Sequence, residues 1–133
     1  MKTGENKIYD LEERTFVFAL NVRKLVRGID KNIGNREDIK QLVRSSGSVA
    51  SNYIEANEKL GDKDFLMKIR ISKNECKESI LWLRLLDINN QDFENERLKL
   101  IDEANELKNI LGAIYKNSIN KKEKELEYKL LKN

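Results

Sequence analysis

Four separate blocks of this chain repeat apolar residues at intervals of three and four, and no proline interrupts any of its 133 residues. Those intervals are the period of one helix face, so each block reads as an amphipathic helix. The first block is Leu11, Thr15, Phe18, Ala19, Val22, Leu25, Val26 and Ile29. The second is Ile39, Leu42, Val43, Ser46, Val49, Ala50, Tyr53 and Ile54; the third is Phe65, Ile69, Ser72, Cys76, Ile80, Leu83 and Leu86. The fourth is Phe93, Leu100, Ala104, Leu107, Leu111, Ile114 and Tyr115. Polar or glycine-containing breaks separate them at Gly28 to Asn35, at Leu60-Gly61-Asp62 and at Asn89-Asn90-Gln91-Asp92.

Breaks this short force consecutive helices antiparallel, which predicts an all-α, up-down-up-down four-helix bundle. The expected helices cover 9–29, 36–58, 63–89 and 93–117. The bundle then occupies 1–118, and 119–133 is a charged C-terminal tail or a helix extension. Asp62 is the expected N-cap of the third helix, and Asp92 or Asn90 that of the fourth, because their side-chain oxygens can accept from free first-turn amides. One domain of this length can be stable without disulfides or a structural metal. The single cysteine, Cys76, lies on an apolar stripe, which suits a reducing compartment. The polar start, Met1 to Asp10, lacks a signal peptide's apolar centre, and no apolar run approaches the ~20 residues of a membrane span. The expected location is the cytoplasm, with no membrane contact.

The formal charge is +3, and all of it falls at one end. Residues 116–133 hold six lysines and three glutamates, which leaves residues 1–115 with twenty basic and twenty acidic side chains. A basic end on a neutral body is a weak sign of nucleic-acid binding; a solvated helix end is the plainer reading.

The third helix carries a second face. Opposite its main stripe run Met67, Ile71, Asn74, Glu78, Leu81, Trp82 and Leu85. A surface helix of a monomer needs only one apolar face. The helix is therefore either central and covered on two sides within one subunit, or it carries a subunit interface of Met67, Ile71, Leu81, Trp82 and Leu85. Phe16 and Leu20, off the main stripe of the first helix, favour the interface and hence a homo-oligomer.

A polar row runs along the second helix: Gln41, Arg44, Ser48, Asn52 and Glu55. Such a row, with Glu75 and Glu78 on the third helix, could read a phosphate or a partner's backbone through the forked donor Arg44. A hydrogen-bond network between helices or subunits is the better reading. Inward carboxylates suggest a di-iron bundle, but those sites need histidines, and this chain has none. Ser45, Ser46, Ser48 and Cys76 have no histidine base to activate them. Gly47 is isolated in mid-helix and forms no phosphate loop; small residues at 45–48 suit the close approach of another helix. No metal, cofactor or catalytic residue is expected, and the chain is not expected to be an enzyme.

The run Arg44, Ser45, Ser48, Val49, Asn52, Glu55 and Ala56, then Lys63-Asp64-Phe65, then Glu75, Glu78, Ser79, Trp82 and Leu83, resembles a family of four-helix-bundle proteins. That family is named for open reading frames in intervening sequences of bacterial 23S ribosomal RNA genes. Asn74 stands where the family pattern has a lysine. The resemblance covers roughly residues 14–118 and leaves out the charged end. It implies an antiparallel bundle assembling into a homopentameric ring, with no defined activity. A related group, the accessory proteins of diversity-generating retroelements, shares that ring and works with a reverse transcriptase and its RNA. The resemblance thus implies RNA, DNA or a ribonucleoprotein as partner. Lys121, Lys122 and Lys124 are the expected phosphate contacts, with Arg44 a poorer one. A protein–protein scaffold that ignores nucleic acid is the alternative, favoured by the neutral body and by the lack of aromatic residues among the basic ones.

Overall fold

A computed structural model describes residues 10–58 and 61–132 of the chain; the expected first-helix start at residue 9, and Leu60 in the second break, lie outside the described residues. Four helices follow in order: α1 Leu11–Gly28, α2 Ile33–Ala56, α3 Asp62–Leu85 and α4 Gln91–Lys132. Among the described residues there is no strand.

The ends of the helices follow from local chemistry. Asn32 caps α2, its side-chain oxygen accepting from the Asn35 amide at 2.9 Å, and this starts the helix ahead of the expected residue 36. Asn90 caps α4 by accepting from the amides of Asp92 and Phe93 at 2.8 and 3.1 Å. Asp62 caps nothing. The N-cap of α3 is Gly61, whose φ of 117° is open to glycine and strained for other residues, and Asp62 lies inside the first turn. There its carboxylate still favours the positive end of the helix. α3 stops at Leu85, short of the expected 89, because Asn35 takes the backbone that follows it. The buried Asn35 amide donates to the carbonyls of Asp30 and Asp87 at 2.8 and 2.9 Å, and its oxygen accepts from the Asp87 amide at 2.8 Å. One side chain thus ties the α1–α2 turn to the α3–α4 turn. Arg97 closes the same end by donating to the carbonyls of Leu83 and Leu86.

Cross-helix pairs fix the topology. Arg44 meets Glu75 while Glu55 meets Lys68, so α2 and α3 are antiparallel. Asn57 reaches Glu12, and Gly47 approaches Arg23, which reverses α1 against α2. Lys73 lies against Gly112, and Arg97 against the end of α3, which reverses α4 against α3. α1 closes the cycle on α4 through Arg14 and Glu103 and through Gly28, where an added Cβ would fall 2.4 Å from the Phe93 ring. The most extensive contact is α2 with α3, then α3 with α4; the diagonal pairs do not meet.

The core is drawn from the four stripes. Every member of the first is buried, as are Leu42, Val49, Ile69, Cys76, Leu83, Leu100, Leu107 and Leu111. Ile54 departs from its stripe. It turns out of the core toward α1 and is 40% exposed, one position past the buried Tyr53. Small polar residues make the α2–α3 seam close: the Ser45 and Ser79 hydroxyls are 2.8 Å apart, and Ser72 donates to the Val49 carbonyl at 2.7 Å. Both pairs are buried, and their hydroxyls are satisfied without water.

α4 is about 63 Å long at 1.5 Å per residue, against about 36 Å for α2 and α3. The charged segment up to Lys132 is therefore helix, running past the start of α3, with residues 121–132 exposed.

Candidate functional site

Most of the polar row on α2 is engaged within the bundle. Arg44 forks onto Glu75, Nη1 donating to Oε2 at 3.0 Å and Nη2 to Oε1 at 3.2 Å, and Nη2 also reaches Glu78 at 3.1 Å. The hydrogen bond it donates to Glu75 raises the Arg44 pKa further, against the opposing pull of desolvation. Glu75 is buried and needs this partner. Asn52 donates to the carbonyl and hydroxyl of Ser48 at 2.9 and 2.8 Å, and Lys68 holds Glu55 at 2.6 Å. Gln41 stays exposed. Arg44 with Glu75 and Glu78, and Glu55 with Lys68, join α2 to α3, while the Asn52–Ser48 bonds stay within α2. Across the bundle, Arg14 holds Glu103 at 2.7 Å and Glu106 at 3.3 Å, joining α1 to α4.

Two exposed apolar surfaces lie on the bundle body, apart from Leu126, Leu130 and Leu131 on the end of α4. On α3, Met67, Leu81 and Leu85 point outward, Leu85 being 54% exposed, while Ile71 and Trp82 are half-buried beside them. This ridge is opposite the α3 core stripe. A groove of about 310 Å³ runs between α1 and α2, with Phe16, Leu20 and Ile54 on its walls and Gly47, Ala50 and Ser51 among its lining. Gly47 lacks the Cβ that would narrow it. Sequence periodicity marks Phe16 and Leu20 but not Ile54 or Gly47, which belong to the groove only because α1 crosses α2 there.

The lysines divide by position. Lys121 and Lys122 line a cavity of about 290 Å³ with Asp62, Phe65 and Leu66 at the start of α3. Lys124 lies farther out with Asn117, Asn120 and Tyr128. Sequence counting missed a second basic place. A groove of about 340 Å³ between α3 and α4 is lined by Lys73, Lys77, Lys108, Asn109 and Gly112. Opposite helices contribute these residues, so no local run of charge announces them.

Among the described residues neither an activated nucleophile nor a metal cluster is assembled. Cys76 is buried, and desolvation pushes its thiol up to about 12, so at neutral pH it is a small hydrophobe. Among the described residues no three His, Cys, Asp or Glu side chains gather where they could hold a metal ion. No helix among the described residues is long and apolar enough to cross a membrane.

Residues 7–113 match the family model of the 23S rRNA-intervening sequence protein. No curated protein matches the chain. A solved structure similar to it is a protein with unknown function from the S23 ribosomal protein family of Bacteroides thetaiotaomicron. That structure has a TM-score of 0.67 and 23% identity, over 80% of this chain and 98% of that one. The likeness supports the four-helix fold; the end of α4 beyond residue 113 lies outside the family match.

Proposed function

This chain belongs to the 23S rRNA-intervening sequence protein family, and from that premise we propose that it is a non-catalytic, self-assembling adaptor for nucleic acid or a ribonucleoprotein in the cytoplasm. The observation that carries the assembly is the presence of two unlike apolar surfaces on separate faces of one bundle. The α3 ridge projects from the helix diagonal to α1, whereas the groove is walled by α1 and α2. A ridge of one copy seated in the groove of the next is a head-to-tail contact. Such contacts close into rings when the rotation allows it. The ring that the resemblance implies is a homopentamer.

Assembly would repeat each subunit's basic surfaces around a symmetry axis. Weak phosphate contacts would then add through avidity. Lys121, Lys122 and Lys124 contribute, being exposed on the α4 extension. Arg44 is a poor contact because its guanidinium is held by two carboxylates. The apolar groove also favours a second reading, a scaffold that seats a helix of another protein and ignores nucleic acid.

Two measurements test the proposal. Sedimentation equilibrium at micromolar concentration is expected to give a closed oligomer; a monomer would overturn the interface, and another oligomer number would overturn only the pentamer. Affinity for RNA and duplex DNA is expected to fall steeply with salt and to drop on truncation after Asn117. Absence of binding even at low salt would leave the scaffold reading.

A further inference from the structure

The body of this molecule is neutral in sum but not in place. The acids of the middle of α3, Glu75 and Glu78, turn toward α2 and are taken by Arg44. Two acids of the facing stretch of α4, Glu103 and Glu106, turn toward α1 and are taken by Arg14. The side that α3 and α4 share is left to lysine. Lys73 and Lys77 stand one turn apart on α3, about 6 Å along the axis, and Lys108 faces them from α4 with Asn109. No carboxylate lines this groove, and among the described residues none lies within 4.0 Å of these three ammonium groups. The Lys108 ammonium donates only to the Asn105 side-chain oxygen, at 3.2 Å. Gly112 forms the floor, and the stem of Lys73 lies across it, its Cδ 3.6 Å from where a Cβ would stand. Lys116 stands one turn past Gly112 on α4, whereas Lys121 and Lys122 lie beside the start of α3 together with Asp62 and Glu125.

We infer that the α3–α4 groove seats the sugar–phosphate backbone of a nucleic acid. The inference rests on the adaptor reading above and moves its main contact from the end of α4 to the bundle body. Three ammonium groups converging from two helices neutralise phosphates, and the Asn109 amide offers both a donor and an acceptor beside them. No aromatic ring lines the groove, so it holds backbone without stacking bases, and binding there is indifferent to sequence. An acidic polypeptide would present carboxylates to the same lysines. The phosphate backbone is favoured because two lysines one turn apart on α3 and a third on α4 line a groove with no carboxylate, and the adaptor reading supplies nucleic acid as the partner.

Fluorescence anisotropy of labelled single-stranded RNA and duplex DNA, titrated with the full chain at several salt concentrations, tests this. The combined variant Lys73→Gln, Lys77→Gln, Lys108→Gln should lose roughly tenfold or more in affinity at low salt. It should also flatten the salt slope for duplex DNA by about 2 to 3, near one unit per lost phosphate contact. The matching arginine triple should bind like the unchanged chain, which separates lost charge from lost fold, and circular dichroism should be the same for all. The combined variant Lys121→Gln, Lys122→Gln, Lys124→Gln should lose less than the groove triple. Unchanged binding by the groove triple, with loss confined to the 121–124 triple, would overturn the groove and leave the adaptor reading standing. Absence of nucleic-acid binding by the unchanged chain, whether or not it binds polyglutamate, would overturn both.

Discussion

The α2–α3 seam and the outward ridge of α3 are built from one helix, yet they meet their chemical needs in opposite ways. At the seam the buried hydroxyls and carboxylate find partners inside the chain: Ser45 with Ser79, Ser72 with the Val49 carbonyl, Glu75 with Arg44; the buried Trp82 Nε1 on α3 does not. On the ridge, Met67, Leu81 and Leu85 leave large apolar surface facing out. Completed chemistry belongs to stability. Exposed apolar side chains aligned at helix spacing are the surface through which the proposed assembly would form. The groove between α3 and α4 repeats the contrast in charge, because its lysines lack the carboxylates that the seam supplies to Arg44 and Lys68.

Changes on either side of α3 can break this comparison. Ser79→Leu should cost the most, about 3 kcal/mol, because the Ser45 hydroxyl 2.8 Å away leaves no room for the larger side chain and would keep only the Leu42 carbonyl as partner. Urea unfolding measures it, and a loss under 1 kcal/mol would mean the seam is loosely built. Arg44→Ala should cost about 1–2 kcal/mol, since buried Glu75 would lose its partner while the half-exposed arginine leaves water to compensate in part. Lys77→Leu, on the groove side of the same helix, should shift stability by less than about 0.5 kcal/mol while weakening nucleic-acid binding.

Caps sharpen the contrast at smaller scale. Asn90→Ala should cost about 1 kcal/mol by freeing two first-turn amides. Asp62→Ala should cost only a few tenths, through the helix dipole, because Gly61 holds the cap position. Thermal unfolding of the pair separates these values. At neutral pH the smallest expected effect concerns the Cys76 thiol, whose contribution changes only above pH 9. Its thiol titrates near 9.0 when unfolded and is pushed up to about 12 by burial. Between those values the folded chain binds more protons, so the contribution is fully present below pH 9 and is lost as pH rises toward 12. Stability measured across that range should fall less steeply in Cys76→Ala than in the unchanged chain.

Much of the bundle is legible in the sequence because helix period, short breaks and a proline-free chain all point one way. The first stripe is buried in full, and the second face of α3 is visible as spacing alone. The departures have physical causes. Asn35 ended α3 early through a bond to Asp87, 52 residues away in the chain, and no local pattern carries such a bond. Ile54 left the core because α1 and α2 frame a groove beside it. The basic groove was hidden by arithmetic: twenty positive and twenty negative side chains over residues 1–115 sum to nothing. Only the pairing of Arg44 and Arg14 with four glutamates shows which face keeps its lysines free.

The contrast between a completed seam and an uncompleted ridge is tested most directly by mixing two variants that are each unable to assemble. Leu85→Glu spoils the ridge and keeps the α1–α2 groove; Phe16→Glu spoils the groove and keeps the ridge. Both positions are more than half exposed, so each chain should stay helical and sediment as a 15.6 kDa monomer. A head-to-tail contact leaves the mixture one intact ridge and one intact groove, and sedimentation equilibrium should then show a heterodimer of twice that mass and nothing larger. Monomers alone in the mixture, or either variant assembling like the unchanged chain, would contradict the account.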